Sequence, residues 1–149
     1  MSTIGGPPII TNGLVLHLDA ANQKSFQSGG TTWYDLSKNG NNGTLNNGPF
    51  LGSAYNGSIV FDGIDDYIDC GSNSSIEMTN KFTISTWIYL VNTNNSGPYG
   101  IISKRTAAGS NESYSIFLFT ANNLYIDING SANRVNSNYI FLNDIFYNI

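Results

Sequence analysis

The sequence predicts an all-β fold, an antiparallel β-sandwich or barrel made of short strands. Three observations predict it. Strand-like segments recur about every 8–15 residues, with turn signals between them. The turns are rich in Asn and draw on 16 glycines, residue types that disfavour helix interiors and suit left-handed backbone. Charged residues make up only 11% of the chain, against 40% hydrophobic and 13% aromatic. Solubility therefore rests on uncharged polar groups, Asn above all. The 149 residues suffice for one domain with its own core.

Residues 1–12 read as an extended arm, because "GGPP" cannot pair in a central strand. The domain proper, residues 13–149, begins at "GLVLHLDA", where Leu14, Leu16 and Leu18 alternate with Val15, His17 and Asp19. Residues 22–57 are loop-rich: "SGGTTWYDL", "KNGNNG", "LNNGPF" and "YNGS" all carry turn dipeptides. "GSIVFD" and "DYIDC" then read as two strands joined by "DGID". "SNSSIEMT" predicts about one helical turn, capped by Ser72, Ser74 or Ser75. "KFTISTWIYL" alternates, with Phe82, Ile84, Thr86, Ile88 and Leu90 on one side. "YGIISK" is a short strand. "SYSIFLFT" is apolar on both sides, which predicts burial on both faces. "NLYIDING" places Leu124, Ile126 and Ile128 on one face and turns at Asn129-Gly130. "NYIFLNDIFYNI" closes the chain.

Several function classes are excluded at this level. The net charge is −4 and the six basic residues are scattered, so no nucleic-acid surface is expected. No apolar run approaches the roughly 18 residues of a membrane span, so no membrane insertion is expected. "MSTIGGPPII" has neither the basic nor the apolar region of a signal peptide. Cys70 is the single cysteine; it is read as a small apolar residue, with no internal disulfide and no cysteine-based zinc site.

The densest chemistry lies in "VFDGIDDYIDCG", which holds Asp62, Asp65, Asp66 and Asp69. Oxygen ligands on a loop suit Ca²⁺, but the EF-hand order is absent and no bidentate Glu follows. Asp62-Gly63 is a strong turn signal, so a structural corner is the expectation and no metal ligand is assigned. A glycosidase pair needs two carboxyls about 5–10 Å apart across a cleft. Only Glu77 and Glu112 supply glutamates, neither in a jelly-roll glucanase spacing, and Asp127 has Tyr125 and Asn129 beside it on its strand face. No catalytic residue is expected. His17 is the only histidine and no G-x-S-x-G elbow occurs. "KNGNNG" lacks the P-loop lysine and its helix. Trp33, Tyr34, Tyr55 and Tyr99, in or beside loops, are the candidate ligand-binding residues. Aromatic faces beside Asn and Asp suit sugars, although the same rings could simply cover core edges.

The runs "GLVLHLDAAN", "TTWYDLSKNGNNGTL", "GSIVFDGIDDYIDCG", "FTISTWIYL" and "GIISK" together resemble the concanavalin A-like jelly roll of the laminin G type, in its pentraxin-like branch. The matching motifs are at 14–19, 35–45, 61–67 and 82–87, in order, and the resemblance spans residues 13–149. The "SGGTTWYDLS" variant is most similar to modules of bacteriophage tail, fibre and other virion proteins; similar modules occur in secreted bacterial adhesins. The resemblance implies two facing antiparallel sheets and makes "FDGIDDYI" a fold signature. Some members bind Ca²⁺ and glycans at one rim, so Ca²⁺ is the one cofactor it raises. Members usually continue past the segment matching "NDIFYNI", so a jelly roll incomplete at its C-terminus is expected.

The resemblance thus implies a non-enzymatic structural or adhesion module of a phage virion, assembled in the host cytoplasm. Expected partners are other virion proteins, copies of the chain itself and cell-surface glycans. The alternatives are a carbohydrate-binding module of a secreted adhesin, which would be extracellular, and, behind it, a glycoside hydrolase.

Overall fold

The computed structural model describes residues 9–53, 57–78, 81–91, 93, 97–104 and 114–149. The described residues form antiparallel strands and two single 3-10 turns, as the Asn- and Gly-rich composition demands. The chain divides into two compact units, Met1–Ile76 and Glu77–Ile149.

In the first unit, β1 (Thr32–Trp33), β2 (Gly43–Asn46) and β5 (Tyr67–Asp69) form one antiparallel sheet in the order β1-β2-β5. β3 (Phe50–Gly52) and β4 (Ser58–Val60) pair separately. Leu45 lies opposite Ile68 in the sheet. Gly43 is buried, and a Cβ there would meet Ile68 Cγ2 at 2.5 Å, so β2 and β5 approach where only glycine fits. Phe26, Ser25, Asn41 and Ile76 are buried with them. Asn73, rather than any of the three serines, caps the 3-10 turn Ser74–Ile76: its Oδ1 accepts the Ser75 N–H at 3.0 Å.

One expectation holds and one changes here. "GSIVFD" and "DYIDC" do form strands, but not with each other: β4 pairs with β3 and β5 with β2. The acidic corner therefore passes the chain from one sheet to another. Residues 14–19 are extended yet outside every ladder, and all are half-buried rather than alternating. Side chains of the loop 35–41 bond main-chain groups that a neighbouring strand would have used.

In the second unit, β7 (Pro98–Lys104), β8 (Tyr114–Phe119), β9 (Asn123–Ile128) and β10 (Val135–Ile140) form an antiparallel sheet in the order β10-β9-β8-β7. β6 (Trp87–Tyr89) pairs with β11 (Phe146–Asn148). β8 is buried on both faces from Tyr114 to Leu118, as its apolar residues on both sides predict. On β9, Leu124, Ile126 and Ile128 alternate with Tyr125 and Asp127, and Asn129 and Gly130 turn with φ of 52° and 95°. Residues 81–88 keep the predicted alternation: Phe82, Ile84, Thr86 and Ile88 are half-buried, while Lys81, Thr83, Ser85 and Trp87 are exposed. Only the end of that segment joins a ladder. β10 bulges between Asn136 and Ile140, and the Ser137 hydroxyl there accepts the Leu124 N–H at 3.2 Å in place of a main-chain carbonyl.

Candidate functional site

Two of the candidate aromatics, Trp33 and Tyr34, are placed by a small polar lock. Ser25 is fully buried; its hydroxyl donates to the Tyr34 carbonyl at 2.7 Å and accepts the Asp19 N–H at 3.1 Å. The Tyr34 N–H returns to the Ser25 carbonyl at 2.7 Å. This pins the end of β1 and sends its successive side chains to opposite sides. Trp33 packs edge-on against Phe26, with centroids 6.3 Å apart, and its Nε1 is sealed from water without a hydrogen bond among the described residues. Tyr34 is 47% exposed. Of the two, Tyr34 can present a face to a ligand, whereas Trp33 belongs to the packing. Tyr99 is half-buried on β7 opposite Leu118, in the second unit. Its ring lies over Gly97, where a Cβ would come within 2.7 Å of it. Tyr55 lies outside the described residues.

Within the 35–45 run, Asp35 forms a polar hub that was not among the candidate site residues. Asp35 Oδ1 accepts the N–H groups of His17 at 2.9 Å and Ser37 at 2.8 Å. Its Oδ2 accepts the Ser37 hydroxyl at 2.7 Å and the Asn41 N–H at 3.0 Å. Burial works to raise the Asp35 carboxyl, but the bonds from Ser37, His17 and Asn41 outweigh it and hold it below the usual carboxylate range. Around this hub the alternate residues 37, 39 and 41 face the main chain of 14–17. The Asn39 amide donates to the Leu14 carbonyl at 3.0 Å, and the buried Asn41 amide to the Val15 carbonyl at 2.8 Å. The Leu36 N–H donates to the His17 carbonyl at 2.9 Å. His17 thus contributes its backbone here. Lys38 and Gly40, between the donors, take φ of 77° and 75°, which tightens the loop enough for its side chains to converge. The readable signal was the period of two in Asp35, Ser37, Asn39 and Asn41, all short side chains able to bond a backbone.

At the acidic corner, Asp62 Oδ1 accepts the Ile64 N–H at 2.8 Å and the Asp65 N–H at 3.3 Å. Gly63 supplies φ of 76°. The Ile64 N–H, ahead of the opposing effect of desolvation and with the help of Asp65, holds the Asp62 carboxyl below its usual range. Asp66 Oδ2 accepts the Asp62 N–H at 2.9 Å, and the Asn47 amide donates to the Asp65 carbonyl at 2.8 Å. The corner is thus built as a turn, as expected from Asp62-Gly63. The same geometry gathers Asp62, Asp65 and Asp66 so that one carboxylate oxygen of each lies within 4.8 Å of the others. These three are the residues that could hold a hard cation; Asp66 Oδ1 is shielded from water and unbonded within the described structure. Asp69, the fourth of the run, accepts the Gly71 N–H at 2.7 Å. Burial first, then the charges of Asp69 and Asp35, pushes the neighbouring Cys70 thiol up.

In the second unit, Asp127 is fully buried and held bidentately by Arg134, Nε to Oδ1 at 2.7 Å and Nη2 to Oδ2 at 2.8 Å. The guanidinium also lies 5.2 Å from the Phe117 ring centroid and 5.7 Å from that of Tyr125. The opposite face of β8 and β9 carries an open apolar groove of about 470 Å³, lined by Phe82, Ile84, Tyr114, Ile116, Ile126 and Ile128 with Lys81 and Thr83 beside them. Among the described residues, no helix is long and apolar enough to cross a membrane. No family model, curated protein or solved structure matches the chain.

Proposed function

We propose that this chain is a non-catalytic structural and adhesion module of a bacteriophage virion, with a laminin G-like jelly-roll architecture, carried on a tail, fibre or capsid surface and binding host-surface glycans. The observation that carries the non-catalytic part is how the acidic side chains are used. Asp35 latches an extended segment, Asp62 closes its own turn, and Asp127 is buried against Arg134. A general acid or nucleophile must reach substrate, and these carboxylates are engaged by their own backbone or by the Arg134 guanidinium.

The binding part rests on exposed groups. Tyr34 offers an accessible ring on a pinned strand end. Trp87 and Val91, and Tyr139, Ile140 and Leu142, are exposed in two short stretches without charged residues. Such apolar surface suits packing against other virion proteins or copies of this chain. The cluster at Asp62, Asp65 and Asp66 is where Ca²⁺ would be held if binding requires it.

A glycan array probed with and without Ca²⁺ tests the binding claim. Expected is a signal that Tyr34→Ala weakens while the melting temperature stays unchanged. Silence under both conditions removes glycan binding and leaves a scaffold. Protein identification on purified particles tests the location, with this chain expected in many copies. Its recovery from a bacterial cell surface instead would favour a secreted adhesin module.

A further inference from the structure

We infer that Asn12-Gly13 is the preferred site of spontaneous succinimide formation among the Asn-Gly pairs of the described structure, and hence of conversion to aspartate and isoaspartate. The chain holds six Asn-Gly pairs, at 12, 39, 42, 47, 56 and 129. Asn56 lies outside the described residues, so five can be compared.

The reaction needs no enzyme. The glycine nitrogen attacks Cγ of the asparagine, forming a new N–Cγ bond. The Cγ–Nδ2 bond breaks and ammonia leaves, the glycine amide proton passing to it through water. Water then opens the ring, at Cγ to give aspartate or at the main-chain carbonyl to give isoaspartate. Glycine favours the attack because it has no Cβ to block it. The fold decides between sites by three conditions: the side-chain amide must be free, the main chain must not hold the glycine nitrogen away from Cγ, and the pair must be able to move.

Three pairs fail the first condition. The Asn39 amide donates to Leu14 and Ser37, both at 3.0 Å. Asn42 Oδ1 accepts the Asp35 N–H at 2.9 Å, and Gly43 is buried in a ladder. The Asn47 amide donates to the Asp65 carbonyl at 2.8 Å. Asn129 fails the second: its φ is 52°, and in the left-handed region the following nitrogen points away from the side chain. Asn47, with φ of 70°, fails it too. Asn12 meets the first two among the described residues, and its exposure leaves the pair room to move. It is exposed, its φ is negative, and its side chain makes no hydrogen bond among the described residues. Gly13 is exposed, and no atom lies within 4 Å of where its Cβ would be. Among the described residues, one bond spans the turn, Leu14 N–H to Thr11 carbonyl at 3.2 Å.

Conversion would alter the backbone beside the latched segment. Isoaspartate routes the main chain through the side-chain carbons, lengthening it by one methylene inside that turn. The next residue, Leu14, is the first one latched by Asn39.

The test is peptide mapping by mass spectrometry of the intact chain, aged at mildly alkaline pH with and without urea. In the folded protein Asn12 should convert about tenfold faster than Asn39, Asn42, Asn47 or Asn129, since releasing a restrained amide, or swinging Asn129 out of its turn, costs about 1.4 kcal/mol, a factor of ten. In urea the five should converge, because the restraints are gone. The inference is overturned if any of the other four converts as fast as Asn12 in the folded chain, or if the ranking persists in urea.

Discussion

The Asp35 carboxylate accepts the His17 N–H at 2.9 Å across 18 residues of sequence. Through that bond and its neighbours, a loop rather than a strand holds the extended segment 14–17 in place. The loop offers a charged acceptor and short amide donors at alternate positions, and the segment's main chain supplies the matching groups.

Removing the hub should loosen both partners. Asp35→Ala strips acceptors from the N–H groups of His17, Ser37 and Asn41. Losing partners for partly buried donors costs about 1–3 kcal/mol. Urea unfolding should show a loss of that size, and hydrogen exchange should quicken at His17 and Asn41. A stability equal to wild type would mean the latch contributes nothing.

The same group sets an acid limb. The Asp35 carboxyl is held below its usual range in the fold, so the folded state favours the ionised form more than the unfolded chain does. Its contribution is fully present above the unfolded value, about pH 4, and is lost as pH falls through the lower folded value. Melting temperature followed downward from pH 5 should therefore drop less steeply in Asp35→Asn than in wild type. Parallel acid limbs would assign the effect elsewhere.

Breaking the pair between buried Asp127 and exposed Arg134 in the second unit should be costly in one direction only. Arg134→Met leaves a fully buried Asp127 carboxylate without its bidentate partner and should destabilise by about 3 kcal/mol. Adding Asp127→Leu to that variant removes the stranded charge and should restore much of the loss. A double variant no better than Arg134→Met alone would contradict the account.

Gly43 tests the sheet of the first unit. A Cβ there falls 2.5 Å from Ile68 Cγ2 and 3.6 Å from Trp33 Cβ. Gly43→Ala should cost about 1–3 kcal/mol as overpacking, and pairing it with Ile68→Ala should recover part of that. The quenching of Trp33 fluorescence should change with it.

Much of the fold was legible because its signals are local. The two-sided apolar run of β8, the alternation of β9 and its turn at Asn129-Gly130 follow from side-chain period and from residues that tolerate left-handed backbone. The turn at Asp62-Gly63 is equally local, since Asp62 bonds N–H groups two and three residues ahead. The candidate aromatics were legible only as a set. Trp33 and Tyr34 are sequence neighbours of similar chemistry, yet packing against Phe26 claims one and leaves the other in solvent.

The sequence by itself determined that this chain is built of short antiparallel strands and tight polar turns. Residue type alone fixes which backbone angles come cheaply. Only the tertiary structure decided which strands pair. Nothing within "VFDGIDDYIDC" tells β4 to join β3 and β5 to join β2, because those choices depend on contacts between residues distant along the chain. It also decided that 14–17 is held by the side chains of Asp35, Asn39 and Asn41. A hydrogen bond between groups far apart in sequence exists only once the fold has brought them together.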